Sequence, residues 1–338
     1  MSKIALVRTI ADKLKSASTQ SEKREVLEYY SSESLFRRVL FYTYNPMINF
    51  NMDDWTPRHV GKQDGQGISK FMHVPEDIYQ GKFTQEEAEF ACNMAMMHIN
   101  DQEAELFVGM LKKDLGLDLD AETINCVWED LIPSYPIRQA SEFNTASPAK
   151  FETYIKPVIV AQKMSEGLRV NIIVRGNNVE FRQKDGTLIH GWDMWTHQFS
   201  TLAQQNAIVF DGHAKVVDED LNVVAMSDEE VLAASAENIR FTLWDTIRYD
   251  GFVQGVDNRV GYNWRFNGLE HMMLLAIEKN PTPCYQSCEY QLVQDFREAL
   301  HLAKSNKCSY VAKNMSATWA TGVTDEEIIV SPESSDLL

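Results

Sequence analysis

The 338-residue sequence lacks any run of about 18 consecutive apolar residues, which is the length that a membrane-spanning helix needs. Its first eight residues, Met1 to Arg8, also lack the apolar core of a secretory signal peptide. Hydrophobic residues make up 44% of the chain and charged residues 24%, a composition typical of globular proteins. We therefore expect a soluble, cytoplasmic protein without a membrane partner.

Cysteine is scarce, and the five cysteines form no recognisable ligand pattern. An odd number argues against a disulfide framework. Cys284 and Cys288 are close in sequence, but no second pair of Cys or His residues stands at a spacing typical of zinc sites. We interpret the thiols as buried or idle groups and expect no metal site.

Positive charge is in short supply, because 32 Lys and Arg residues face 49 Asp and Glu residues, which gives a net charge of −17. This balance opposes binding to nucleic-acid backbones, since that affinity comes mainly from Lys and Arg. The acidic excess is uneven: residues 76–130 include fourteen acidic and three basic side chains, whereas residues 3–38 are mildly basic. We interpret the acidic segment as a solvated surface, with mimicry of DNA as the alternative.

Internal repeats and low-complexity linkers are also absent, so the organisation must be judged from hydrophobic patterning. Apolar residues recur at helical spacings in residues 1–45, and Thr84-Gln85-Glu86-Glu87 is a capping box that predicts the start of a helix. After Pro136 the chain changes to short β-branched runs separated by turn residues, which predict strands of antiparallel sheets. These runs are 158–161, 170–174, 178–181, 207–210 and 241–244.

The order of these elements predicts an α+β protein. We expect an all-helical domain in residues 1–136 and a mixed domain in residues 137–323. Residues 324–338 are acidic and poorly patterned, and we expect them to form a frayed tail.

Motifs in the second half resemble those of ATP-dependent DNA ligases, most closely the ligases of tailed phages. Ala161 to Arg169 falls where the family has its nucleotidyl motif, and Val209 to His213 falls where it has aspartate, glycine and glutamate. Phe241 to Asp245 resembles the motif whose aromatic ring stacks on adenine. Cys308 to Lys313 resembles the motif of glutamate, glycine and lysine, for which residues 326–331 are a rival placement.

The resemblance extends over most of the chain and implies a fold and a site. The helical part would correspond to the DNA-binding domain of the ligases, and it would end near Val127 to Pro133. An antiparallel-sheet nucleotidyltransferase domain, the adenylation domain, would follow. We expect the family's last motif, with its two phosphate-binding lysines, and its C-terminal oligonucleotide-binding barrel to be missing.

Departures from the family pattern fall on the positions that carry its chemistry. Counting back from Gly167, the nucleophilic lysine position is Met164, and Lys163 is its neighbour. A methionine has no nitrogen to bond with AMP, and neighbouring strand residues point to opposite faces, so we expect Lys163 to point away from the pocket. His213 replaces one metal-side glutamate and Cys308 replaces another. We expect no metal to be bound at these positions.

Five matching positions remain as a vestigial nucleotide site implied by the resemblance: Gly167, Arg169, Arg182, Phe241 and Lys313. Each has a plainer interpretation that the sequence leaves open. The phenylalanine is equally well a core aromatic on a strand. Of the cations, the first arginine is equally well the partner of a nearby carboxylate, and the second arginine and the lysine are equally well surface residues.

The sequence therefore predicts a catalytically inactive pseudo-ligase that acts as a binding or interaction module in phage replication, repair or counter-defence. We expect a protein partner, weak binding to DNA, no required cofactor and, for a phage-encoded protein, residence in the host cytoplasm. The alternative is an active ligase or adenylyltransferase that uses Lys163, or is completed by a second subunit, and needs ATP and Mg²⁺. A non-covalent nucleotide sensor is a third hypothesis.

Overall fold

The structure is a computed structural model that describes residues 4–52, 55–58, 61–80, 82–144, 147, 159–204 and 206–334. The chain divides into two compact units, Met1–Ser134 and Tyr135–Leu338. Within the described ranges, no helix has both the length and the apolar character needed to cross a membrane.

The first unit is built from helices around one apolar core. Its helices are α1 (Ile4–Ser16), α2 (Gln20–Tyr29), α3 (Ser34–Tyr44), α4 (His73–Tyr79), α5 (Gln85–Met96), α6 (Asp101–Leu111) and α7 (Ala121–Val127). The core includes Ile10, Leu27, Phe36 and Phe107, whose side chains are fully buried. Helix packing of this kind follows from the apolar spacing that the sequence shows in its first 45 residues.

Local capping signals set several helix starts in this unit. The Thr84 side chain accepts a hydrogen bond from the backbone of Glu87, and the Glu87 carboxylate accepts one from the backbone of Thr84, which confirms the predicted capping box. Thr19 and Glu22 form a second box before α2. Asp120 caps α7, which ends at Val127, the first residue of the stretch Val127 to Pro133 in which the helical part was expected to end.

The second unit contains two larger sheets. Its strands are β1 (Arg138–Glu142), β2 (Ile159–Lys163), β3 (Leu168–Arg175), β4 (Asn178–Gln183), β5 (Ile208–Val217), β6 (Val223–Ala225), β7 (Ile239–Arg248), β8 (Val256–Asp257), β9 (Tyr285–Ser287), β10 (Tyr290–Val293), β11 (Tyr310–Asn314), β12 (Trp319–Ala320) and β13 (Gly322–Val330). One sheet has the order β1-β13-β11-β2-β10. The other has the order β4-β3-β5-β7-β9, with β6 paired to β5.

Two strand pairs correct the expectation of purely antiparallel sheets. Strand β1 is parallel to β13, and β7 is parallel to β9. Parallel neighbours need a long crossover connection, which the sequence pattern of a single strand does not show. Of the predicted strand 158–161, residue 158 lies outside the described residues, and Ile159 to Ala161 lie in β2.

The expectation that residues 324–338 form a frayed tail is wrong for residues 324–330. Residues 324–330 belong to β13, which is paired on both sides, with β1 and with β11. The strand is acidic at its exposed start and apolar at its buried end, so its pattern changes along its length. Residues 335–338 lie outside the described residues.

Helices cover the sheets of the second unit and complete its cores. They are α8 (Thr196–Ala203), α9 (Asp228–Ala233), α10 (Tyr249–Val253), α11 (Tyr262–Ile277) and α12 (Phe296–Asn306). The larger core joins β3, β5 and β7 to α8 and α11 through residues such as Ile172, Phe199 and Phe266. A smaller core joins the first sheet to α12.

Candidate functional site

A cavity of about 360 Å³ lies in the second unit, bordered by residues of both sheets. Its wall comes from β1, the end of β2, β3, β5, β7, β11 and β13. The volume lies within the range of small-molecule sites. This cavity brings together several of the residues that the sequence singled out.

Lys163 and Met164 both border the cavity at the end of β2, which corrects the expectation that Lys163 points away from the pocket. The Lys163 ammonium is 2.9 Å from a carboxylate oxygen of Glu289, a residue that does not line the cavity. The Glu289 carboxylate raises the pKa of Lys163, first through the hydrogen bond and then through its charge. The amine is therefore protonated, and it forms an ion pair with Glu289 at the edge of the cavity.

Arg169 occupies one side of the cavity and is ion-paired. Its guanidinium donates to the two carboxylate oxygens of Asp211 over 3.2 and 2.8 Å, and to the backbone carbonyl of Arg138 over 2.7 Å. Asn171 donates to the same carboxylate over 3.1 Å. Period-two alternation explains the cluster, because Arg169 and Asn171 share one face of β3, opposite Asp211 and His213 on β5.

The aromatic residue at the cavity is Trp244, and this corrects the assignment of Phe241. Phe241 is fully buried and packs on Phe181 and Phe199 in the core, with ring centroids 5.8 and 5.1 Å apart. Trp244 lies three residues along β7 and therefore faces the other side of the sheet. Its ring lies 5.7 Å from the Arg169 guanidinium carbon.

Arg182 is also absent from the cavity wall, contrary to its assignment to the nucleotide site. Its side chain is buried on β4, where it donates to Glu180 over 2.6 and 2.8 Å and to the backbone of Gly186 over 2.9 Å. The buried carboxylate of Glu180 fixes the arginine within its own hairpin. The interpretation as a surface arginine is therefore wrong as well.

Gly167 has a backbone role beside the cavity. Its φ of +130° is rare for residues with a side chain, and a Cβ atom there would lie 2.4 Å from the carbonyl oxygen of Ala214. Glycine at this position lets β3 begin in close contact with β5. The residue that follows in the motif, Leu168, is buried in the core.

His213 borders the cavity with its ring 4.6 Å from Trp244, in an edge-to-face arrangement. Burial is the main cause that lowers the pKa of His213, Asp211 opposes it and Arg169 adds to it, and the net result is a fall from 6.5 to about 4. The ring is therefore neutral at physiological pH. Its Nδ1 is buried and has no hydrogen-bond partner among the residues that the structure describes.

The lowered pKa of His213 predicts a pH dependence of stability. In the unfolded chain this histidine takes up a proton near pH 6.5, whereas the folded chain resists protonation down to about pH 4. Stability is therefore lost as the pH falls through this window, by about 3 kcal/mol for the wild type. Urea unfolding at pH 7, 5.5 and 4.5 measures the loss, and His213→Gln removes this contribution.

The control for this experiment is His271→Gln, because His271 is exposed on α11. In this variant the free energy of unfolding is expected to depend on pH as it does in the wild type. An unchanged pH dependence of the free energy of unfolding in the His213 variant would contradict the assignment of a half-buried, neutral imidazole.

Three charged residues deep in the cavity form a network, and sequence reasoning missed two of them. Glu327 lies 2.7 Å from Arg138 Nε and 3.7 Å from Lys313 Nζ. Burial by itself raises the pKa of Glu327, but Lys313, Arg138 and more distant arginines lower it overall. Lys313 also lies 4.7 Å from the centre of the Tyr262 ring. Arg138 belongs to none of the motifs, and Glu327 occurs only within the rival placement 326–331, so neither was singled out as a site residue.

Both placements of the motif of glutamate, glycine and lysine reach the cavity, since Lys313 of the first lines it and so do Glu327 and Ile329 of the rival, whereas Ser331 does not. Cys308, at the first position of that motif, does not line the cavity either. A different thiol, Cys288, does, and burial raises its pKa to about 12. This thiol is therefore an unreactive neutral group at physiological pH.

Two carboxylates at or beside the cavity are poor ligands for Mg²⁺, because both oxygens of Asp211 accept hydrogen bonds from Arg169 and both oxygens of Glu327 face cations. A third carboxylate, Glu142, lines the cavity and is exposed. A hard divalent cation needs carboxylate oxygens that are not already engaged by positive charge. Among the described residues, no group of three His, Cys, Asp or Glu side chains is arranged to hold a metal ion.

Comparison with known proteins gives matches among solved structures only. No protein-family model matches the chain, and no curated protein matches it. Pmar-Lig_PreS3 is 18% identical, with a TM-score of 0.48, and the match covers 96% of this chain and 78% of that one.

Two further matches cover the second half. The bacteriophage T7 ATP-dependent DNA ligase in complex with ATP is 16% identical at a TM-score of 0.47, over 59% of this chain and 69% of that one. The ligase domain of M. tuberculosis LigD is 16% identical with a TM-score of 0.41, and the match covers 58% of this chain and 60% of that one. The solved structures that match this chain therefore include an ATP-dependent DNA ligase. These matches are of the kind that the sequence motifs indicated.

Proposed function

We propose that the protein is a ligase-like binding module that does not form a covalent bond with AMP. The observation that carries this proposal is the pair at the end of β2. Met164 stands where the resemblance places the nucleophile, and the adjacent Lys163 is bound to Glu289. Covalent nucleotidyl transfer needs an unprotonated amine directed at the phosphorus atom, and this arrangement does not supply one.

The charges of the cavity support non-covalent binding at most. Arg169 is neutralised by Asp211, and Glu327 offsets the charges of Arg138 and Lys313. A phosphate group would have to displace these carboxylates before it gained the cations. The indole of Trp244 remains as a surface on which a planar ring can stack. We therefore expect a nucleotide to bind weakly, if it enters the cavity.

The active-ligase alternative is favoured by one observation. The Glu289 carboxylate is 77% exposed, and an exposed ion pair contributes only about 0–1 kcal/mol. Lys163 borders the cavity, so breaking this pair costs little. In that case Lys163 would be the nucleophile, and ATP and Mg²⁺ would be required.

Incubation with α-labelled ATP and Mg²⁺, followed by denaturing electrophoresis, separates the two proposals. We expect no covalent band from the wild type or from Glu289→Gln, which releases Lys163. A band that disappears in Lys163→Ala would establish the alternative. A band that persists in Lys163→Ala would mean that another residue is the nucleophile, and it would also refute the binding-module proposal.

Restoring the lysine by Met164→Lys is expected to leave the protein without adenylation activity. His213 is neutral and half-buried where the resemblance places an acid, and Lys313 is already paired with Glu327. Charge developing on the phosphate would therefore lack preorganised stabilisation. The measurement is the same labelling experiment, with Met164→Leu as the control. A labelled band from Met164→Lys alone would show that the rest of the site is competent.

As an interaction module, the protein is proposed to bind another protein in preference to DNA. The net charge of −17 opposes contact with phosphate backbones, whose binding requires several Lys and Arg residues. Titration of nicked and intact duplexes over a range of salt concentrations tests this point. Tight binding with preference for the nick would contradict it.

A further inference from the structure

The hairpin surface, which we define as residues 218–232, exposes an unusual amount of apolar side chain. It includes the turn after β5, strand β6 and most of α9. Five large apolar side chains in this short segment are at least 39% exposed: Leu221, Val223, Val224, Met226 and Leu232. Exposed apolar residues are ordinary when scattered, but a concentration of them marks an interaction site.

Leu221 occupies a strained position at the tip of this surface. Its φ is +64°, a left-handed conformation that bulky side chains rarely adopt and that turn chemistry assigns to Gly or Asn. Among the described non-glycine residues with positive φ, it is the one with an apolar side chain. The Leu221 side chain is 63% exposed, so burial within this chain does not compensate for the strain. A contact outside the chain would account for leucine here.

The turn that presents Leu221 is preformed. An oxygen of the Asp218 carboxylate accepts hydrogen bonds from the backbone of Asp220 over 3.0 Å and of Asn222 over 2.8 Å. The backbone of Leu221 donates to the Asp218 carbonyl over 3.0 Å. A partner would therefore meet an ordered loop, and little ordering would be needed on binding.

Negative charge surrounds these apolar groups. Residues 216–239 include seven Asp and Glu and no Lys or Arg. Two exposed acidic runs, 218–220 and 228–230, flank the strand on either side. Hydrogen bonds from Asn222 lower the pKa of Asp218, and those from Ser227 lower the pKa of Glu230. Both carboxylates are therefore ionised at neutral pH.

This negative charge favours some binding partners of the hairpin surface over others. Nucleic acids and anionic membranes carry negative charge and are repelled. A second copy of the chain carries the same net charge of −17 and is also disfavoured. We propose that the hairpin surface docks a protein partner whose apolar patch is rimmed by Lys and Arg side chains. This inference does not depend on whether the cavity adenylates.

The test uses an amphipathic helical peptide of leucine and lysine, labelled with fluorescein, and a matched peptide of leucine and glutamate. Fluorescence anisotropy with the full chain is expected to show binding of the lysine peptide, weakened by added salt, and none of the glutamate peptide. Hydrogen exchange is expected to show protection at residues 218–232. Protection confined to the acidic segment 76–130, or equal binding of both peptides, would overturn the proposal.

The decisive variant is Leu221→Asn. Asparagine tolerates a positive φ, so the melting temperature is expected to hold or rise, while the association constant for the lysine peptide falls by about tenfold. The matched control is Leu274→Asn on α11, since Leu274 is equally exposed, at 65%, and lies outside the hairpin surface. Unchanged affinity in Leu221→Asn, or an equal loss in both variants, would refute the assignment.

Discussion

Replacing Asp245 by alanine is expected to lower the free energy of unfolding by about 3–5 kcal/mol. Asp245 accepts from Arg265 over 2.8 and 3.0 Å, and the two side chains are only 3% and 2% exposed. The remaining bonds of Arg265, to the carbonyls of Val260 and Ala317, leave its charge without a counterion. Removing one member of a buried pair is costly because the other charge stays out of water.

Urea denaturation of the full chain, followed by tryptophan fluorescence, measures this loss. The control is Glu289→Ala, which removes the carboxylate of the exposed pair with Lys163 in the same unit. That change is expected to cost about 0–1 kcal/mol. Equal losses in the two variants would show that the Asp245 pair is solvated in a way that the structure does not indicate.

Replacing Glu327 by glutamine is expected to destabilise the protein and at the same time increase the affinity of the cavity for anions. The change removes the carboxylate that Arg138 and Lys313 share, which lowers the free energy of unfolding by about 3–5 kcal/mol. Arg138 keeps its ion pair with Glu326 at 3.3 Å, whereas Lys313 loses the carboxylate beside it and then attracts an anion directly. We expect the association constant for inorganic pyrophosphate, measured by calorimetry, to rise at least about tenfold, equivalent to about 1.4 kcal/mol.

The same variant should change the acid sensitivity of the protein. The pKa of Glu327 in the folded chain lies below its ordinary value of 4.5, so its contribution to stability is present above pH 4.5. That contribution is lost as the pH falls through the lowered pKa of Glu327. Glutamine does not titrate, so the Glu327→Gln variant lacks this loss of stability.

The matched control for Glu327→Gln is Glu142→Gln, because Glu142 lines the same cavity but is exposed on β1. We expect a stability change within about 0.5 kcal/mol. A similar gain in pyrophosphate affinity in both variants would mean that general charge, and not the buried network, governs anion binding.

Features that depend on neighbouring residues could be predicted from the sequence. The capping box at Thr84 is one, because its hydrogen bonds join residues three apart. The spacing from Gly167 to Arg169 also identified the end of β2 and the β3–β5 pair as the site, and these residues do border the cavity or lie beside it. Lys313 was predicted from a local pattern too, as the last residue of the stretch Cys308 to Lys313, and it lines the cavity.

Features that depend on strand register could not be predicted. Choosing Trp244 over Phe241 requires knowing which face of β7 meets His213, and a shift by one residue exchanges the two faces. The parallel pairing of β1 with β13 placed Arg138 beside Glu327, although 189 positions separate them (327 − 138). No local pattern connects such residues.

The sequence by itself determined that methionine stands where the resemblance to ligases places the nucleophile and that acidic residues outnumber basic ones, because these are matters of residue type and spacing. Only the tertiary structure decided which ion pairs the surrounding charged groups form. It paired Lys163 with Glu289, Arg169 with Asp211, and Arg138 and Lys313 with Glu327. The physical reason is that the charge state and direction of a side chain depend on what lies beside it in space, and these partners come from strands and loops far apart in the chain.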